Sequence, residues 1–381
     1  MTTEAVPAPS GQVLPRLGLH VINAGYGESI VLEMPGDRWG VVDCYSPDLR
    51  KPASNPTLQF LRERSVKRLE FLALTHPHED HYQGLKDLLD HLQVSAFWWF
   101  AGISPPELPR FVNGLREETS GTKTKDRSRQ RSVRNLDQLF LTMIKQREAK
   151  TLVSTQMSDF KTLYPLPLGG THGSDAVQIH TLAPWTDTVQ RYQEELYKCF
   201  ASEHLKQKMA TLKHNQISAA LLVEFGETRL ILGGDVEEAS WKEALSQIEH
   251  TRLNAHAVKV SHHGSRNGYC AGLWPLFCAG GKAVAIITPS HPHSLPNEDA
   301  VTHIRESTTQ IVSTCTPALT FSTTPSFDSW EAYDAGVQLS LRAVFPTFRA
   351  EKPFATGICS FWFDTEGQVI DSHLTEPATI L

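Results

Sequence analysis

Leu69-Glu70-Phe71-Leu72-Ala73-Leu74-Thr75 runs directly into His76-Pro77-His78-Glu79-Asp80-His81, and that junction decides the fold. The first half is a nearly continuous apolar run, the pattern of a strand covered on both faces. The second half puts three imidazoles and two carboxylates within six residues. Beyond it Leu85, Leu88, Leu89 and Leu92 repeat at helical spacing. The cluster therefore occupies a strand-to-helix loop, where α/β folds place their chemistry. Alternate residues of an extended backbone share a face, so His76 and His78 can grip one ion while Asp80 and His81 reach a second.

The same event recurs along the chain. Leu19 to Ile22, Glu28 to Glu33 and Trp39 to Asp43 read as strands, the first two separated by the loop Asn23-Ala24-Gly25-Tyr26-Gly27. Asn55 to Glu63 reads as a helix. The pair Ala219–Phe225 and Thr228–Leu232, joined by Gly226-Glu227, ends at Gly233-Gly234-Asp235. His256 to Ser261 ends at His262-His263-Gly264. Ala283 to Thr288 ends at Pro289-Ser290-His291-Pro292-His293, before a helix at Asn297 to Glu306. Several strands that each end in His or Asp converge on one rim, which is what a metal site requires. Between these blocks, residues 104 to 213 read as an insertion, part loop and part helix, with a helical stretch from Asp187 to Lys213. Arg110 to Lys150 carries 11 Lys/Arg against 5 Asp/Glu. The segment from about 330 to 381 reads as a β-rich extension, with strands at Val337–Val344 and Thr356–Phe363.

The chain has 381 residues, is 40% hydrophobic and 20% charged, and carries a formal charge of −6, as expected of a globular protein whose surface as a whole does not attract polyanions. Its six cysteines, Cys44, Cys199, Cys270, Cys278, Cys315 and Cys359, form no C-x-x-C pair and read as buried small hydrophobes in a reducing compartment. Residues 1–16 read as a disordered leader without a signal-peptide pattern, and no apolar run approaches a membrane span, so the expected location is cytoplasmic.

H-x-H-x-D-H after an apolar strand resembles the signature of the metallo-β-lactamase superfamily. HVINAGYGESIVLE, VVDCY, Asn215-x-x-Ser218, LILGGD, KVSHHGS and SHPH, in that order over residues 17–100 and 213–325, resemble the soluble ComEC/Rec2-like metallo-hydrolase domain of DNA-uptake proteins. The resemblance implies an α/β fold, the four-layer αββα sandwich, here with a basic, helical insertion and additional C-terminal strands. It also implies two divalent metal ions. His76 and His78 would bind the first, Asp80 and His81 the second, and Asp235 both. One of His262 and His263 would complete the ligand set of the second metal, with His263 favoured because it directly precedes Gly264. Many members carry a further His as third ligand of the first metal; His172, His180 and His214 are candidates. His291 and His293, with Asn215 and Ser218, are candidate substrate contacts. Glu79, Ser218 and Asp43 are candidates for fixing the ligands.

Imidazole and carboxylate donors suit Zn²⁺ first, and also Mn²⁺ or Fe²⁺. Two such ions about 3.5–4 Å apart can hold a hydroxide between them, with Asp80 or Asp235 orienting it. The expected function is metal-dependent hydrolysis of a phosphodiester, with nucleic acid favoured as substrate because the resemblance implies a DNA-degrading domain and the segment Arg110 to Lys150 is basic. The alternatives are a small ester (a phosphocholine-type or cyclic-nucleotide diester, a lactone or a thioester) and a component activated by a protein partner docked on the insertion or the C-terminal extension.

Overall fold

The computed structural model describes residues 15–23, 25–49, 51–118, 124–165, 176–202, 209, 211–278, 280–281, 283–316 and 356–381, without the side chains of 118 and 124–128. Residues 1–14 of the expected leader, His172 and the strand at Val337–Val344 lie outside these residues.

Two sheets stack face to face. The first is ordered β15 (Val369–Thr375), β14 (Gly357–Phe363), β1 (Leu17–Asn23), β2 (Glu28–Met34), β3 (Arg38–Val42), β4 (Arg68–Leu74), β5 (Gln93–Phe100), β6 (Val153–Met157). The second runs β16 (Thr379–Ile380), β13 (Gln310–Ser313), β12 (Val284–Ile287), β11 (Ala257–Lys259), β10 (Thr228–Leu232), β9 (Ala220–Phe225), β8 (Val177–Ala183), β7 (Thr162–Tyr164). Strands β3 to β6 are parallel, as are β10 to β13. Each sheet thus has a parallel half whose strands end on one edge, and those ends carry the His and Asp loops.

Helices cover both outer faces, giving four αββα layers with three buried cores. One core joins the first sheet to α1 (Pro56–Glu63), α3 (Leu85–His91), α4 (Leu108–Glu118) and α5 (Thr124–Glu148). The second fills the space between the sheets. The third joins the second sheet to α7 (Glu238–Gln247), α8 (Trp274–Phe277) and α9 (Glu298–Ser307). Neighbouring residues of one strand therefore enter different cores. Phe71 and Ala73 face the other sheet while Leu72 and Leu74 face the helices, and Trp98 does the same between Phe97 and Trp99. Burial on both faces is why these strands read as unbroken apolar runs. All six cysteines are buried, and none forms a disulfide.

Two expectations about chain organisation need correction. The 104–213 segment is not one insertion, because β6 extends the first sheet and β7 and β8 extend the second. The excursion holding α4 and α5 stands outside the sheets, and β6 is mostly polar and partly exposed, so it shows no strand pattern. The helix expected to reach Lys213 ends at Phe200 (α6, Thr186–Phe200). The C-terminal strands extend both sheets: β14 pairs with β1, and β16 pairs with β13.

Glu33 staples the first sheet at its strand crossing. It accepts hydrogen bonds from Arg16 (3.0 Å) on one oxygen and from Trp362 Nε1 (2.9 Å) on the other, with His20 Nε2 at 3.5 Å. Burial raises its pKa, but these partners outweigh burial and pull it from 4.5 to about 2. A depressed carboxylate stabilises the fold above its unfolded value, and the contribution is lost as pH falls from about 4.5 toward 2. Melting temperatures between pH 6 and pH 3 should fall less steeply for Glu33→Gln than for the wild type; parallel slopes would contradict this role.

Candidate metal centre

The two parallel halves bring four loops together. Thr75 to His81 follows β4 and enters the short helix α2 (Glu79–Tyr82); Gly233 to Asp235 follows β10; Ser261 to Gly264 follows β11; Thr288 to His293 follows β12. The third loop is strained to fit. His262 and His263 have φ of 48° and 54°, consecutive left-handed residues that are not glycine, a conformation costing about 1–3 kcal/mol each. It turns both side chains of the pair toward the site. Gly234, at φ 50°, also needs to be glycine, since a Cβ there would lie 2.4 Å from the Ala219 carbonyl oxygen.

Asp235 lies at the centre, with its two oxygens facing different imidazoles. Oδ2 is 3.7 Å from His76 Nε2 and 3.8 Å from His262 Nε2. Oδ1 is 3.4 Å from His81 Nε2 and 3.9 Å from His263 Nε2. His78 Nδ1 joins the first side, 3.0 Å from His76 Nε2. Asp80 Oδ2 joins the second, 3.3 Å from His263 Nε2 and 3.8 Å from His81 Nε2. The donor atoms of His76, His81 and Asp235 lie within 4.8 Å of one another, and so do those of Asp80, His81 and His263. His81 Nε2 and Asp235 Oδ1 are buried without a hydrogen-bond partner. Buried orphan atoms of this kind are costly, and a cation between them would satisfy both. The residues present fit divalent metal.

The charges agree. Burial, followed by the neighbouring imidazoles, pushes His76 well down, and burial also lowers His78; both are neutral, as a ligand must be. Burial would likewise lower His81 and His263, but Asp235 with its neighbouring carboxylates outweighs it and raises both. Burial opposes ionisation of Asp80 and Asp235, yet the imidazoles, His81 foremost, hold both carboxyls below the ordinary range.

A layer of side chains behind the donors sets their orientation. His81 Nδ1 donates to Asp43 Oδ2 (2.8 Å), which also receives Thr75 Oγ1 (2.7 Å), while Oδ1 receives the Thr75 amide (2.8 Å). His263 Nδ1 donates to the Thr288 carbonyl (2.8 Å). Ser218 Oγ accepts from the Asp235 amide (2.9 Å), and Asn215 Nδ2 lies 3.3 Å from His262 Nε2. Deeper still, the fully buried Glu28 pairs with the fully buried Lys259 and accepts from Thr288 Oγ1 (2.7 Å). Glu28 lies 3.9 Å from His81 Nδ1 and 3.7 Å from His263 Nδ1, behind both rings.

Above the donors opens a cavity of about 460 Å³. His78, Asp80, Asp235, His262, His263 and His293 line it. His291 does not: its Nε2 donates to the Thr316 carbonyl (3.1 Å), fixing the loop instead. Ser218 and Asn215 also lie outside the lining, beneath Asp235 and beside His262. Of the candidates for a third ligand to the first metal, His180 is remote, paired with Glu224 at 3.2 Å. His214 lines the cavity with its Nδ1 bonded to Tyr192 OH (2.8 Å). His262 occupies the first side of Asp235 that they were expected to complete. Sequence reasoning missed the Glu28–Lys259 pair, whose one signal is a lysine inside the apolar run that precedes His262.

No family model and no curated protein matches the chain. Among solved structures, it is similar to a mutant of the CmlA β-hydroxylase (13% identity, TM-score 0.33, 68% of this chain and 36% of that one). It is also similar to the hydrolase AbOPH of the β-lactamase superfamily (10%, TM-score 0.30, 68% and 70%) and to a diphosphatase of the PhnP family (11%, TM-score 0.34, 74% and 89%). The chain spans about a third of the length of the β-hydroxylase it matches.

The support behind His81 gives a direct test. Asp43→Asn keeps the shape but removes the charge that receives the Nδ1 proton. Changes of this type typically cost 10–100-fold in metal affinity. Chelator competition on Asp43→Asn should show at least about tenfold weaker Zn²⁺ binding with an unchanged circular dichroism spectrum; undiminished affinity would contradict the assignment.

Proposed function

We propose that the protein is a dinuclear metal-dependent hydrolase that cleaves phosphodiester bonds. One observation carries the reading: the two oxygens of a single buried carboxylate, Asp235, divide the surrounding imidazoles into two sets at the floor of a cavity. His76, His78, His262 and Asp235 would hold one ion; Asp80, His81, His263 and Asp235 would hold the other. Zn²⁺ suits these nitrogen and oxygen donors best. When bound, the ions supply Lewis acidity toward a phosphoryl oxygen and lower the pKa of water.

The protein's own groups do the rest. Asp80 and Asp235, at the cavity floor, orient the attacking water by accepting its hydrogen bond. Asp43, Thr288 and Ser218 keep the donors from turning. His293, exposed on the cavity wall with Nδ1 2.9 Å from Ser290 Oγ, can carry a proton to the departing oxygen. The reaction adds water across one P–O bond, with hydroxyl to phosphorus and proton to the released alcohol.

Cleavage of nucleic acid, the direction of the ComEC/Rec2-like resemblance, has one observation in its favour. Arg129, Arg131 and Arg134 are exposed along α5, and Arg129 reaches the cavity.

Purified protein should contain two metal ions per chain by elemental analysis and hydrolyse bis(4-nitrophenyl) phosphate. His78→Ala and Asp80→Ala should each lower kcat by at least about a hundredfold, and His262→Ala should reduce the content toward one ion. A fully active, metal-free protein would refute the reading.

A further inference from the structure

We propose that the site takes a small phosphodiester bearing an apolar group, with the phosphate at the Asp235 centre and the apolar group held by the α4–α5 excursion. This rests on the hydrolase reading above and adds the substrate class. The floor of the cavity is polar, but one wall is not. Leu115 of α4, Val133 of α5, and Met209 and Leu212 from the segment that follows α6 line it together. All four are at least nine-tenths buried, yet they border the cavity.

That wall is firmly built. Ser132, beside Val133, bonds Tyr82 OH (2.7 Å) and Gln83 Nε2 (3.0 Å), tying α5 to the helix that carries Asp80 and His81. Leu136, Leu139 and Phe140 continue α5 into the core shared with the first sheet. Met209 packs onto Gly114 of α4, where a Cβ would lie 3.1 Å from its Cγ. An apolar surface fixed beside a catalytic floor gains by taking apolar surface out of water.

The charge pattern favours a small ligand over a polymer. Arg129 is the one guanidinium or ammonium among the described lining residues, and it also faces Glu79. A nucleic-acid strand needs a series of cations along its phosphates. Arg131 and Arg134 lie outside the lining. A volume of about 460 Å³ suits one small molecule. Hydrolysis would then release an apolar alcohol or an apolar phosphomonoester, depending on which P–O bond breaks.

Phosphonates test this without turnover, since the C–P bond does not hydrolyse. Isothermal titration of the metal-loaded full chain should show phenylphosphonate binding at least about tenfold tighter than methylphosphonate. The heat-capacity change should be more negative for the phenyl compound. Val133→Thr and Leu212→Ala should each lower that ratio several-fold. Equal binding of the two phosphonates, or a single-stranded oligonucleotide binding more tightly than both, would overturn the inference and leave the hydrolase reading standing. Failure of both phosphonates to bind a chain that holds two metals would also overturn it. A chain that takes up no cation would remove the hydrolase reading and this inference together.

Discussion

Buried negative charge is the constraint on which this structure turns. Asp80, Asp235, Asp43 and Glu28 lie within one cluster, all buried, and among the described residues Lys259 is the one ammonium that meets them. Charges taken out of water must be paired or neutralised. Lys259 answers Glu28, and His81 with Thr75 answers Asp43. Asp80 and Asp235 are left facing imidazoles alone. The shifts follow from this: the carboxyls are driven down, and His81 and His263 are driven up. Divalent cations would answer the same imbalance.

The fold is arranged to create that cluster. Two sheets, each with a parallel half, bring the carboxyl ends of β4, β10, β11 and β12 to one rim. Three cores hold the layers in place, so the rim can carry strained backbone. Asp43, His262, His263 and Ser294 all have positive φ there. Such strain persists where the surrounding structure over-determines it. The chain commits stability in the cores to hold an unfavourable loop that directs two successive histidines to opposite oxygens of Asp235.

Much of this was legible in the sequence because it is local. The cluster His76 to His81 sits after a strand, and Asp235 and His262-His263 follow the same grammar. What was not legible is long-range. Glu28 and Lys259 are far apart in the chain and meet only through the stacking of the two sheets. The side of Asp235 that each member of the His262-His263 pair faces depends on left-handed backbone that no composition signals. Ser218, Asn215 and His291 carry donor-type side chains in the right motifs, yet each is spent on hydrogen bonds that hold the site. Strands β6 and β7 are short and partly polar, so they give no strand signal, whereas β14 and β16 return from the far end of the chain to pair with β1 and β13.

We propose that Asp235 separates two cation positions. Anomalous diffraction from metal-soaked crystals, recorded above and below the zinc edge, tests it most directly. Two peaks, one on the His76 and His262 side of that carboxylate and one on the His81 and His263 side, are expected. A single peak remote from Asp235, or none at saturating zinc, would contradict the account.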